Sequence, residues 1–152
     1  MSKEKTVPNG VVAVPSFHTT VVNDGTWTHL DEVGDSEEKD IEGEHATGTF
    51  TVKRTGIYMF ACVQGMSQVN NNNRWMNRIT VNGNDYIHLF TETQGRLTSY
   101  DALMGNSGAL LDLEKGDVVK IYGYQDAGGT TDTYTSGGRY QGLRFIYLGS
   151  KF

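Results

Sequence analysis

The chain has one cysteine, Cys62, and only two prolines in 152 residues. A lone thiol excludes an intrachain disulfide, so the fold must be held by packing. Two prolines beside 19 glycines exclude a collagen-like or proline-rich linker and favour a compact, loop-rich domain. No apolar run approaches the roughly 20 residues of a spanning helix. The first ten residues, MSKEKTVPNG, lack the apolar centre of a secretion signal, so the expectation is synthesis in the cytoplasm without membrane insertion. Lysine and arginine are scattered singly in a chain of formal charge −5, which leaves no basic stripe for phosphates and excludes nucleic acid as a partner. Nowhere does an apolar period of 3.6 persist for three turns, so no helix is expected. Catalytic patterns are missing as well. His18, His29, His45 and His88 are widely spaced, no His-Glu-x-x-His is present, and Gly105-Asn106-Ser107-Gly108 lacks the spacing of a nucleophile elbow. The expectation is a protein that is not an enzyme and carries no cofactor.

What the sequence does contain is a succession of short β patterns. Gly56-Ile57-Tyr58-Met59-Phe60-Ala61-Cys62-Val63 is apolar on both faces, and the property returns in Gly142-Leu143-Arg144-Phe145-Ile146-Tyr147-Leu148. An antiparallel strand ordinarily buries one side chain in two, so a second cover is required: another sheet, another copy of the chain, or both. One face of the first strand carries Ile57, Met59, Ala61 and Val63, the other Tyr58, Phe60 and Cys62. Strands are also expected at Val11 to Val14, Phe17 to Val22, Thr26 to Leu30, Thr49 to Val52, Trp75 to Val81, Tyr86 to Phe90, Ala109 to Leu113 and Val118 to Tyr124. Asn82-Gly83 is a type I′ hairpin signal, and Glu114-Lys115-Gly116-Asp117 reads as a tight turn. The acidic segment Asp31 to Glu44 and the stretch Ala127 to Gly138 read as surface loops. The fold class is therefore all-β, an antiparallel sandwich over residues 11–152 as one domain, preceded by a flexible segment over residues 1–10, and a trimer is expected.

Five pieces in order resemble the globular-head domain of the first complement component, subcomponent q, and its tumour necrosis factor relatives. They are Gly48-Thr49-Phe50; Gly56-Ile57-Tyr58-Met59-Phe60; Val81-Asn82-Gly83; Ser107-Gly108 through Leu113-Glu114-Lys115-Gly116-Asp117-Val118-Val119; and Tyr140-Gln141-Gly142-Leu143-Arg144-Phe145. The resemblance implies a jelly-roll homotrimer and, by analogy, places Tyr58, Phe60, Phe145 and Tyr147 beside the threefold axis. The signal and collagen-like stalk common in animal members are not in this sequence. The expectation is a phage or bacterial member: a structural module of a virion, made in the host cytoplasm and seated on a capsid or tail protein as decoration or fibre tip. The alternative is a recognition module that binds a cell-surface glycan or protein through apical loops.

Particular residues are expected to serve these roles. Val11, Val12 and Val14, in the segment from Ser2 to about Pro15, are the candidate particle anchor, adding as a strand to a partner's sheet edge. Asn70, Asn71, Asn72 and Asn73, with Tyr134, are the candidate ligand-facing loops. Trp27, Trp75, Tyr100, Tyr124, Tyr134 and Tyr140 are the aromatics that could stack on a sugar ring. Folding is expected to need no metal. The alternative is calcium, for which Asp126 and Asp132 are the candidate oxygen ligands.

Overall fold

The computed structural model describes residues 10–13, 21–30, 37–40, 45–46, 48–66, 74–92, 103–126, 128–129, 131–132 and 142–150. Every regular element among them is a strand. In chain order these are β1 (Gly10–Ala13), β2 (Val21–Val22), β3 (Thr28–His29), β4 (Glu37–Asp40), β5 (His45–Ala46), β6 (Thr49–Thr51) and β7 (Gly56–Met66), followed by β8 (Arg74–Val81), β9 (Asn84–Glu92), β10 (Leu103–Leu113), β11 (Val118–Gln125), β12 (Thr131–Asp132) and β13 (Gly142–Gly149).

Two antiparallel sheets form a jelly-roll sandwich. The first runs β10, β7, β13, β1, β4; the second runs β5, β6, β11, β8, β9, with β3 paired to β11 as well. The short β12 pairs with β2. Turn chemistry fixes the registers. Asn82 and Gly83 both take positive φ, 52° and 80°, as the β8 to β9 hairpin requires. Gly116, at φ 95°, lets the β10 to β11 turn close, and Asp117 Oδ2 accepts the backbone N–H of Glu114 at 2.8 Å.

The core lies between the sheets. Val22, Leu30, Phe50, Val52, Tyr58, Phe60, Trp75, Ile79, Leu111, Leu113, Val119, Ile121 and Phe145 are all buried there. Phe145 is its hub, stacked on Tyr58 at 4.7 Å between ring centres and tilted against Phe50 at 5.0 Å. The Tyr58 hydroxyl avoids an unmet hydrogen bond by donating to the Arg54 carbonyl at 2.8 Å. Buried Gln125 plays a similar part between segments, donating from Nε2 to the carbonyls of Val22 and Gly129.

Three expectations need correction. Glu37–Asp40 is a strand rather than part of a loop: it pairs with β1 at the margin of the first sheet, where an acidic sequence is tolerated and discourages further pairing. The strand expected at Ala109 to Leu113 begins earlier, at Leu103: Gly105 to Gly108 run within β10, held in an unbroken register with β7 from Leu103↔Met66 to Leu113↔Gly56. Tertiary pairing there overrides a turn-prone composition. The first strand begins at Gly10 and both of its edges are occupied within the chain, by β13 and by β4. Val11 and Val12 therefore have no free edge to offer a partner's sheet, and the strand-addition anchor fails on that ground. Val14 lies outside the described residues.

Candidate functional site

Alternation along β7 separates two surfaces. Tyr58 and Phe60 point between the sheets and have 0% exposure, as has Phe145 on β13, while Tyr147 packs against the same cluster. This reverses the expected placement beside a threefold axis: three of the four side chains are already fully buried within one subunit. The sheet's other surface carries the apolar residues left over. Leu110 on β10 and Ile146 on β13 are both directly opposite Met59 on β7, so the three form one row across the sheet. Leu110 is 67% exposed and Leu148, farther along β13, is 54% exposed.

Beside that row is a hollow of about 290 Å³ lined by Met59, Phe60, Ala61, Gly108, Ala109 and Leu110. Gly108 contributes to its shape, since a Cβ there would sit 3.3 Å from the Phe60 carbonyl oxygen. The sequence signal for this surface was present in Leu110-Leu111, two neighbouring leucines of which alternation can bury only one. Exposed apolar area gathered on one sheet is the mark of an association surface, whereas single exposed leucines are ordinary.

Asp126, a candidate calcium ligand, is committed elsewhere. Its Oδ1 accepts the backbone N–H of Arg74 and its Oδ2 accepts Arg74 Nε, both at 2.6 Å, tying the end of β11 to the start of β8. Burial pushes this carboxyl up, but the Arg74 hydrogen bonds and positive charge outweigh it and hold the group below its ordinary value of 3.8. A depressed carboxylate adds stability that is complete above its unfolded value and is lost as pH falls through the folded one. Asp126→Asn is therefore expected to cost about 1 kcal/mol at neutral pH, a figure kept small because Arg74 is 46% exposed. Urea unfolding at pH 7 and pH 3 checks this: the gap between the proteins should narrow at the lower pH.

Asp132 lies in β12, opposite Val21. Among the described residues no three His, Cys, Asp or Glu side chains converge on a point. Asn70 to Asn73, Tyr100, Tyr134 and Tyr140 lie outside the described residues. Of the other aromatics named for sugar stacking, Trp75 is in the core, whereas Trp27 and Tyr124 meet on the second sheet, 5.3 Å between ring centres.

Comparison with known proteins follows the fold. The family described as C1q, C1q domain, matches residues 39–142. No curated protein matches the chain. Among solved structures, the globular domain of zebrafish complement 1qA protein is 16% identical with a TM-score of 0.60, covering 95% of this chain and 100% of that one. Eiger TNF from S. frugiperda gives 0.65 at 12% identity, covering 96% of each chain. Murine APRIL at pH 5.0 gives 0.62 at 14% identity, over 93% of this chain and 100% of that one. At such identities the structures speak for the fold.

Proposed function

The chain belongs to the C1q domain family, and from that premise we propose that it is a non-enzymatic recognition module that works as a homotrimer. One observation carries the assembly. The first sheet fills its inner surface with Tyr58, Phe60, Leu111 and Phe145, yet leaves Leu110 and Leu148 more than half exposed on the outer one. Obligate interfaces resemble a core cut in half and bury about 2,000 to 5,000 Å². The row of Leu110, Met59 and Ile146, with the hollow beside it, supplies the apolar centre of such an interface. Three copies rather than two follow from the family, whose jelly rolls associate as trimers. Light scattering should give about 50 kDa, three times the chain's 16.8 kDa. A folded species of single-chain mass at micromolar concentration would overturn the proposal.

The partner on this reading is a cell-surface glycan or protein. The narrower expectation, a phage decoration or fibre-tip protein on a capsid or tail, draws no support from zebrafish, S. frugiperda and murine structures, and its proposed anchor strand is paired within the chain. A place on a virion is therefore no part of the proposed function.

The proposal includes no metal in folding, because Asp126 is engaged by Arg74. Excess chelator is expected to leave the thermal midpoint within about 2 °C. A structural ion present at a thousandfold excess over its Kd would contribute about 4 kcal/mol, or about 10 °C in a domain of this size. A fall that large would reinstate calcium.

A further inference from the structure

We propose that the outer surface of the second sheet is a saccharide-binding platform, centred on Trp27 and suited to a single neutral pyranose ring. This deepens the recognition reading by naming a ligand class, and it does not depend on the trimer.

Cross-strand register assembles the surface. Tyr122 on β11 is directly opposite His29 on one side and Arg78 on the other, and Arg78 is opposite His88 on β9, so the four side chains form a row across four strands. Trp27, just before β3, lies across that row. Its ring reaches Tyr124 at 5.3 Å and His88 at 5.4 Å, and the Arg78 guanidinium carbon is 4.6 Å from its centre. The same guanidinium is 5.1 Å from the Tyr122 ring, and its Nη1 donates to Asp85 at 2.9 Å. Arg78 is thus fixed by two aromatic rings and a carboxylate, and Trp27 is held by Arg78, Tyr124 and His88 while it remains partly exposed.

The polar groups around the indole suit hydroxyls. Asp85 accepts from Arg78 and lies 3.4 Å from His88 Nε2, and both Asp85 and His88 are about half exposed. On the other side Arg74, paired with Asp126, has its guanidinium carbon 6.0 Å from the Tyr124 ring. A sugar hydroxyl both donates and accepts, and adjacent carboxylate and cationic groups offer it both roles. The C–H face of a pyranose needs a partly exposed aromatic plane, which Trp27 provides.

Charge narrows the choice. Two guanidiniums in contact with the platform are balanced by two carboxylates, in a chain of net charge −5, so nothing favours a sulfated or carboxylated sugar. Size narrows it further. Arg78 has only 21% of its side chain exposed, and a single indole offers far less than the roughly 1,000 Å² that a specific protein interface needs.

Intrinsic fluorescence reads the site, because the only other tryptophan, Trp75, is fully buried. The intact protein would be titrated with methyl glycosides of neutral hexoses and with a sulfated hexose. At least one neutral glycoside should give a saturable change, followed in variants by calorimetry. Trp27→Ala should weaken its binding at least tenfold, and Asp85→Asn, which leaves the indole in place, about threefold or more. Absence of saturation with every neutral glycoside, unchanged affinity in Asp85→Asn, or preference for the sulfated sugar would each overturn the assignment. Light scattering on the same samples keeps the two proposals apart: failure to bind sugar with trimer mass intact sinks this one alone.

Discussion

Leu110→Asp is expected to turn the proposed trimer into folded monomers. The aspartate would be placed in the middle of the outer row, opposite Met59, at a position 67% exposed in the free subunit. In the subunit alone it meets water and costs little, since the residues that β10 sends into the core, Leu111 and Leu113, are untouched. In the assembled trimer three carboxylates would be buried in an apolar contact without partners, each costing several kcal/mol. The mass should fall from about 50 kDa to the chain's own 16.8 kDa while circular dichroism keeps its β signature. Tyr58→Asp makes the contrast. That side chain has 0% exposure and stacks on Phe145, so its replacement should unfold the subunit rather than release it. A trimer that survives Leu110→Asp would place the interface elsewhere.

Gly56→Ala should be the most destabilising small substitution. A Cβ at this position would stand 2.3 Å from the Gly149 carbonyl oxygen and 2.6 Å from Tyr147 Cε2. The tyrosine ring could swing aside, but the carbonyl is backbone and lies where the β13 to β7 register shifts between Tyr147 and Gly149. Relief therefore means parting two of the sheet's inner strands where β7 begins and β13 ends. The expected cost is about 3 kcal/mol, near the upper end for overpacking, or a fall of about 10 °C in Tm. Gly129→Ala is the control: a Cβ there meets nothing within 4 Å and φ is ordinary, so the midpoint should hardly move. Equal effects from both substitutions would show that the close approach at Gly56 carries no energetic weight.

The elements that were legible in the sequence are those whose cause is local. Asn82-Gly83 and Gly116-Asp117 act through their own φ angles and hydrogen bonds, so their turns can be read without knowledge of the rest of the chain. The two-faced apolarity of Ile57 to Val63 announced a covered sheet for the same reason. Which face is covered by what is not a local property. Alternation separates Tyr58 and Phe60 from Ile57 and Met59, but only the opposite sheet, with Phe50, Trp75 and Ile121, decides that the aromatics fill the interior. The strand at Glu37–Asp40, expected as loop, and the extension of β10 from Ala109 back to Leu103 are not legible locally, because their neighbours on β1 and β7, remote in sequence, supply the pairing. The meeting of Trp27 with Arg78 and His88 likewise depends on β3, β8 and β9 sharing one sheet with β11, an arrangement no local pattern shows.

The position of β13 also governs when the protein can fold. It lies between β7 and β1, with Gly10 opposite Ile146 and Tyr58 opposite Tyr147. As the nascent chain leaves the ribosome, β10 can align with β7 and β4 with β1, but nothing joins the two pairs until Gly142–Gly149 has emerged. Until then the edge of β7 that β13 will occupy stays open to any other chain, as does the apolar surface around Met59. Completion of the first sheet is therefore a late event of high contact order, and crowding of nascent chains on one message would favour mispairing at that open edge.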